Sequence, residues 1–291
     1  EGEDPGVPLV AGAAVEVAEG AIVPEGVDAV VPRGDGRLDN HFLHVAREVH
    51  LHENLRRAGS ELADGTPLLA SGEVLTPRAV AVLAEVGLDK VLVRPRPRIV
   101  VFAVGESLVA PGQPLTNPRQ RYDAATALLT AAARVDGATV YPLGIVGPDE
   151  ATIRQTIADQ QIRADLVLIV GGGDAVREVV RGMGDLDEAD VAINHQTRYG
   201  FASLGTDGVP VVLLPAGVVS AYVGYHVFVR PLIHRLSDSD ASGTQRVRAS
   251  VPDELPATEG INEYLPAILA EDGTVRPVAG AESELAFALA R

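Results

Sequence analysis

The chain has 291 residues, no cysteine and a formal net charge of −16 at pH 7. The missing cysteines exclude a disulfide framework and a thiolate metal site, and the negative charge argues against binding to nucleic acid or to an anionic membrane surface. No apolar run reaches the roughly 20 residues that a membrane-spanning helix needs, so we do not expect an integral membrane protein. The first residues do not resemble a signal peptide, and we expect a cytoplasmic protein.

The first region, residues 1–53, mixes short apolar runs with turns. Residues 15–23 and 28–32 have the alternating or continuous apolar character of β-strands, and a Pro-Glu-Gly turn at 24–26 separates them. We therefore predict a partial β-rich domain in this region.

Histidines are the only metal-ligand pattern that this region suggests. They stand at His41, His44, His50 and His52. The last two would share one face of a strand because side chains alternate along it. No carboxylate or cysteine set completes a site around them, so we expect surface side chains and not ligands.

Residues 54–93 predict a small linking domain with one short helix. Thr76 has the side chain of an N-cap, and Pro77 suits the first helical position. The helix continues through Glu85, and Gly87 ends it.

Residues 94–238 have the alternation of strands and helices that is typical of a parallel sheet. The predicted strands cover 98–104, 139–146, 165–170 and 209–214, and the predicted helices cover 123–134, 149–160 and 220–236. Binding sites of such sheets lie where the strands end at their carboxyl edge. We therefore expect the loops at 105–108, 171–174 and 215–220 to meet at one site.

The last region, residues 239–291, follows a polar stretch of small residues at 237–243 that reads as a linker. Strand-like fragments separated by turn residues predict a small β domain here.

Five collinear segments resemble the MoeA / gephyrin E-domain family of molybdopterin molybdenumtransferases. They are residues 19–32, 53–108, 122–129, 164–175 and 208–233. The resemblance implies a multi-domain homodimer of α/β class, in which residues 54–93 belong to the linking and dimerisation part. It also implies a central three-layer parallel-sheet domain like that of MogA, and a small β barrel at the carboxyl end. Members of the family use Mg²⁺ and insert molybdate into adenylylated molybdopterin.

Several ligand-facing positions depart from the family pattern. Val104–Leu108 stands where the family has Thr-Gly-Asp-Glu-Leu, and Ala124 and Ala125 stand where it has Ser and Asn. Asp174 replaces a hydroxyl residue in the glycine loop and would repel a phosphate. Arg198 is the charge nearest to the position of a missing lysine.

The resemblance carries the following candidate residues onto this chain. The candidate catalytic residues are Glu106, Asp174 and Arg198, and the candidate cofactor-binding residues are Gly105, Ser107, Gly171, Gly172, Gly173 and Ser220. Glu106 and Asp174 form the candidate Mg²⁺ pair, although carboxylates at strand ends are commonly only solvated.

Other readings remain open for some of these residues. The three glycines can serve simply to turn the chain sharply after a buried strand. Asp123 fits a helix N-cap better than a ligand. Tyr222, Tyr225 and Phe228 are core or dimer-contact residues of the last helix.

Two functions compete at this stage. The first is a homodimeric scaffold without the family's reaction, which binds a peptide segment of a membrane or cytoskeletal protein. The alternative is a divergent molybdopterin molybdenumtransferase that uses Glu106, Asp174 and Arg198 in altered roles. Binding of molybdopterin or a nucleotide without turnover, as a sensor, is a third hypothesis.

Overall fold

The computed structural model describes residues 7–191, 198–238, 247–251, 255, 259–278 and 289. The chain divides into two compact units, which we call unit 1 (Glu1–Leu68) and unit 2 (Leu69–Arg291). Within the described ranges, no helix is both long and apolar enough to span a bilayer.

The described part of unit 1, from residue 7 onward, contains one β-hairpin. Strand β1 (Gly36–Asp39) pairs with the antiparallel strand β2 (Phe42–Val45). The two turn residues both have positive φ, 42° at Asn40 and 72° at His41, as the commonest two-residue hairpin turn requires. All four histidines of this unit are exposed, which confirms the expectation of surface side chains.

The structure has no strand at residues 15–23 or 28–32, which corrects the prediction for both segments. Their β-like composition finds no ladder because strand character depends on cross-strand partners as much as on the residues themselves. The second segment instead makes isolated bonds. The amide of Val30 donates to the carbonyl of Glu53 at 2.9 Å, and the amide of His52 donates to the carbonyl of Asp28 at 2.7 Å.

Arg47 joins two acidic side chains of unit 1 by hydrogen bonds. The guanidinium of Arg47 donates to Oδ2 of Asp35 at 2.9 Å and to both carboxylate oxygens of Glu53 at 3.0 and 2.5 Å. The bonds from Arg47 to Glu53, together with one from the amide of His50, lower the pKa of Glu53 from 4.5 to about 2. The carboxylate therefore stays ionised well below its ordinary range.

We predict that Arg47→Gln will return the pKa of Glu53 toward its ordinary 4.5. Because the native pKa is the lower one, this carboxylate stabilises unit 1 above pH 4.5 and loses that contribution as the pH falls toward about 2. An NMR titration of the Glu53 carboxyl carbon measures both values. Arg33→Gln is the control, since Arg33 pairs with Glu16 and both side chains are largely exposed. A wild-type midpoint near 4.5 would contradict the prediction.

Unit 2 begins with the predicted short helix, α1 (Pro77–Glu85). Oγ1 of Thr76 accepts a hydrogen bond from the amide of Ala79 at 3.2 Å, and Gly87 follows the helix with φ of 82°. Start and stop are both confirmed.

The centre of unit 2 is a six-stranded sheet in the order β6-β3-β7-β10-β9-β8. Its strands in chain order are β3 (Arg98–Val104), β6 (Thr139–Val146), β7 (Leu166–Gly171), β8 (Leu186–Asp190), β9 (Arg198–Leu204) and β10 (Val209–Leu214). Between β3 and β6 lie two short paired strands, β4 (Leu108–Val109) and β5 (Arg121–Tyr122). The first four strands of the sheet order are parallel, as predicted. The pattern did not reveal β9 and β8, and β9 pairs antiparallel with both β10 and β8.

Helices cover both faces of this sheet. They are α2 (Ala124–Val135), α3 (Glu150–Gln161), α4 (Gly173–Arg181), α5 (Val218–Gly224) and α6 (Arg230–Leu236). Side chains of α2, α5 and α6 share one core cluster with the sheet, and side chains of α3 and α4 share the other. The central domain is therefore the expected three-layer α/β structure. Of these helices, α4 was not predicted, although its apolar spacing at Val176, Val179 and Val180 is helical.

The last predicted helix is interrupted by a π-helical turn at Tyr225–Val229, between α5 and α6. Pro231 explains the interruption, because proline has no amide hydrogen and its ring clashes with the carbonyl of Val227 in a regular α-helix. The rings of Tyr225 and Phe228 point into the protein: Tyr225 is fully buried, and Phe228 packs on Tyr199 with ring centroids 5.0 Å apart. Both are core residues.

The described part of the last region contains one antiparallel pair, β11 (Ala267–Leu269) and β12 (Val275–Pro277). A single bridge joins Ser250 to Thr274. The β barrel of residues 239–291 stays a prediction, since much of that range lies outside the described residues.

Candidate functional site

The carboxyl ends of three parallel strands lie side by side in unit 2. Val104 of β3 is in register with Gly171 of β7, and Val170 of β7 is in register with Leu214 of β10. The loops that follow these strands therefore meet at one edge of the sheet, as the sequence predicted.

The glycine loop between β7 and α4 has a backbone that other residues rarely adopt. Gly171, Gly172 and Gly173 have φ values of 76°, 75° and 52°. A Cβ on Gly172 would lie 2.1 Å from Cγ2 of Val176 and 3.0 Å from Cβ of Val104, whereas one on Gly173 would meet nothing within 4 Å. The sharp strand-to-helix turn therefore requires glycine, above all at Gly172.

A cleft of about 290 Å³ opens at this edge, between the first turns of α2 and α5. Such a volume suits a ring-sized group of a ligand. Most of its lining is apolar, and three polar side chains complete it. The lining residues are Leu108, Arg121, Tyr122, Asp123, Ala124, Ala125, Val170, Ala216, Gly217 and Val218.

Asp123 is the buried polar group of the cleft, with only 6% of its surface exposed. Its Oδ1 accepts a hydrogen bond from the amide of Thr126 at 3.0 Å, so it caps α2 as predicted. The carboxylate also compensates the positive end of this helix. The N-terminus of α2 is thereby already occupied by a negative charge.

The loop after β3 carries Gly105, Glu106 and Ser107. The carbonyl of Ser107 accepts from the amide of Arg121 at 2.9 Å, which fixes this loop to β5, while Glu106 is exposed. Arg198 is the exposed first residue of β9. None of the four is among the residues that line the cleft.

Asp174 and Ser220 also lie apart from the cleft lining. Asp174 stands in the first turn of α4 with 88% of its side chain exposed, and its carboxylate is 3.8 Å from the guanidinium of Arg177. Ser220 is buried in α5, where its carbonyl accepts from the hydroxyl of Tyr199 at 3.1 Å.

Comparison with known proteins identifies the family. The family model "MoeA N-terminal region (domain I and II)" matches residues 1–87, and "Probable molybdopterin binding domain" matches residues 100–235. The chain is 37% identical over 267 residues to Molybdopterin molybdenumtransferase 1 of Mycobacterium tuberculosis, which covers 89% of this chain and 62% of the relative. The chain belongs to the MoeA family.

Other MoeA relatives agree with this assignment. Molybdopterin molybdenumtransferase 2 of Mycobacterium tuberculosis is 34% identical over 225 residues, covering 73% of this chain and 54% of the relative. The chain thus spans about half to two thirds of the length of these proteins. Among solved structures, a molybdopterin biosynthesis MoeA protein from Pyrococcus horikosii superposes with a TM-score of 0.82 at 25% identity, over 97% of this chain and 71% of the other.

A Mg²⁺ site in this MoeA chain needs several oxygen donors close together. Among the described residues, no group of three or more histidine, aspartate or glutamate side chains could hold a metal ion. Glu106 and Asp174 are both exposed, and one carboxylate oxygen of Asp123 accepts the hydrogen bond that caps α2. Over the part of the chain that the structure describes, the donor set does not fit a built Mg²⁺ site.

The sequence reasoning missed Arg121 and Tyr122, the exposed polar pair of the cleft. A signal was present, because both residues directly precede the Asp123 cap and such junctions lie near the carboxyl edge of a parallel sheet. The resemblance to the MoeA family indicates residues at the family's motif positions. Arg121 and Tyr122 do not stand at the motif positions that the resemblance indicated.

Proposed function

We propose that this MoeA-family chain binds molybdopterin in the cleft and acts as a divergent molybdopterin molybdenumtransferase. One observation carries the proposal. All residues that line the cleft fall inside the range, 100–235, that matches the probable molybdopterin binding domain. Both mycobacterial relatives are named molybdopterin molybdenumtransferases, which supports the same reaction here.

The cleft walls suit a flat heterocycle. Small side chains at Ala124, Ala125 and Ala216 leave an open slot, and Gly217 lets the backbone of α5 approach a ligand closely. The chain's own groups would hold the ring by contact and orient it at the strand ends. We propose further that the protein is a cytoplasmic homodimer, as the resemblance implies.

A scaffold function is the second candidate. The methyl groups of Ala124 and Ala125 in the cleft, and the exposed positions of Glu106 and Asp174, favour it, because these sites carry polar ligand groups in the family pattern. Such a homodimer would bind a peptide segment of a membrane or cytoskeletal protein, with two identical sites that raise avidity.

The two functions are separated by one titration. The full chain is mixed with adenylylated molybdopterin, Mg²⁺ and molybdate, while calorimetry follows binding and chromatography follows AMP. We expect binding and molybdate-dependent release of AMP, as in the mycobacterial relative run beside it. Binding of adenylylated molybdopterin without release of AMP would favour a sensor. If adenylylated molybdopterin does not bind, the scaffold function is favoured.

Ala124→Ser supplies a sharper prediction. The variant returns the hydroxyl of the family pattern to the cleft, and one added hydrogen bond in a largely apolar site should raise AMP release by about tenfold. Ala127→Ser is the control, since Ala127 lies on the exposed side of the same helix. Equal rates for both variants and the wild type would contradict the assignment of the cleft as the reaction site.

A further inference from the structure

We infer that Arg121 is the residue that recognises the anionic group of the cleft's ligand, and that the ligand's negative end lies at Arg121 and not at the glycine loop. The inference rests on the proposed function, because it takes the ligand to be a pterin that carries an anionic substituent. It assigns a specificity-determining role to a residue outside the motif positions.

Arg121 is held at the rim of the cleft by its backbone. Its amide donates to the carbonyl of Ser107 at 2.9 Å, and β5 pairs with β4 in the register Leu108↔Arg121. A turn stiffens the loop before it, since Oε1 of Gln120 accepts from the amide and hydroxyl of Thr116 at 2.6 and 3.0 Å. The fold therefore fixes the backbone of Arg121 at the rim of the cleft.

The guanidinium of Arg121 is also available. It is exposed, and within the described ranges it pairs with no carboxylate. Arg163, by contrast, bonds to Gln160, and Arg230 bonds to Asp136. A guanidinium suits anions because it presents its donors in a planar fork that matches a carboxylate or phosphate.

The first turns of two helices at this edge of the sheet, α2 and α4, are already negative. The first turn of α2 is capped by the carboxylate of Asp123. The first turn of α4, at the glycine loop, carries the exposed carboxylate of Asp174, and Arg177 beside it bonds to Glu188 at 2.8 Å. Like charge disfavours a phosphate at both helix ends, so Arg121 is the remaining cation of the cleft lining.

The ligand's orientation follows from this distribution of charge. The apolar slot formed by Ala124, Ala216 and Val218 takes the ring, and the rim at Arg121 takes the anionic substituent. Tyr122, also at the rim, adds a hydroxyl that can donate to the same group.

The test uses two fluorescent probes that differ by one charge, pterin-6-carboxylate and 6-methylpterin, titrated into the full chain. We expect Arg121→Ala to weaken binding of the carboxylate about tenfold and to leave the neutral probe within about twofold, as for the loss of a charge-assisted hydrogen bond. Arg121→Lys should restore part of the loss. Arg119→Ala is the matched control, because Arg119 is exposed on the same loop but does not line the cleft.

The outcomes separate this inference from the function on which it rests. If neither probe binds the wild type, the pterin cleft itself fails. A second outcome is that both probes bind the wild type while Arg121→Ala weakens the binding of neither probe, or of both equally. In that case Arg121 does not recognise the anionic group, but the cleft still binds pterins. If Asp174→Asn strengthens the carboxylate probe more than Arg121→Ala weakens it, the glycine loop is the anion site and our orientation is wrong.

Discussion

Gly172→Ala should lower the free energy of unfolding of unit 2 by about 3 kcal/mol, the sum of backbone strain and overpacking. The residue has φ of 75°, which costs a side chain about 1–2 kcal/mol. Its Cβ would also lie 2.1 Å from Cγ2 of Val176, which is 1% exposed and has no space into which to move. Urea unfolding followed by far-ultraviolet circular dichroism measures the loss.

Gly173→Ala is the matched control for this prediction. Its φ of 52° is also left-handed, but a Cβ there would meet nothing within 4 Å. The variant should therefore cost about 1 kcal/mol, from backbone strain alone. Equal losses for the two alanine variants would show that the contact with Val176 and Val104 does not constrain the loop.

Tyr225→Phe is expected to cost about 1–3 kcal/mol, as for a buried acceptor that loses its donor. The hydroxyl of Tyr225 donates to Oδ2 of Asp136, and the guanidinium of Arg230 donates to Oδ1 at 3.1 Å. The side chain of Asp136 is only 11% exposed, so water replaces the lost hydroxyl poorly. These bonds join the end of α2 to the π-helical turn, and thermal unfolding should report their loss.

Tyr222→Phe provides the comparison, since Tyr222 stacks on Tyr225 at 6.4 Å but is partly exposed. We expect it to change the free energy of unfolding by less than about 0.5 kcal/mol. The pH dependence of the free energy of unfolding above pH 8 is a second measurement of the Tyr225 bond. Burial and then the bond to Asp136 raise the pKa of Tyr225 above its ordinary 10.0, so its contribution to stability is present below pH 10 and is lost above it.

This alkaline loss should be smaller in Tyr225→Phe than in the wild type. The measurement is the free energy of unfolding between pH 8 and 11, with Tyr222→Phe as the reference. An unchanged slope in Tyr225→Phe would mean that the Tyr225–Asp136 bond is not held in solution.

Much of the central domain could be predicted from local signals. The N-caps Thr76 and Asp123 each bond the backbone as their sequence positions indicated. Three of the four parallel strands, β3, β7 and β10, are nearly continuous apolar runs, because both of their faces are buried. Strand ends in a parallel sheet share one edge, so the convergence of the three loops followed as well.

The candidate site was less predictable. Resemblance pointed to Glu106, Asp174, Arg198 and Ser220, and the structure lines the cleft with other residues. Arg121 carries no motif, and its place in the cleft depends on the short β4–β5 pairing and on residues 216–218, which line the same cleft. Residues 121 and 216–218 are far apart in the chain, and no local pattern encodes that they meet.

The sequence by itself determined the family, the three-layer core and the glycine loop, since apolar periodicity, capping residues and collinear segments act over short distances. Only the tertiary structure decided where the strands of unit 1 fail to form, how β9 and β8 extend the sheet, and which side chains face the cleft. The physical reason is that pairing and burial depend on partners brought together by the fold. The same reason makes Gly172 indispensable, because the obstacle to a side chain there comes partly from Val104 on a neighbouring strand.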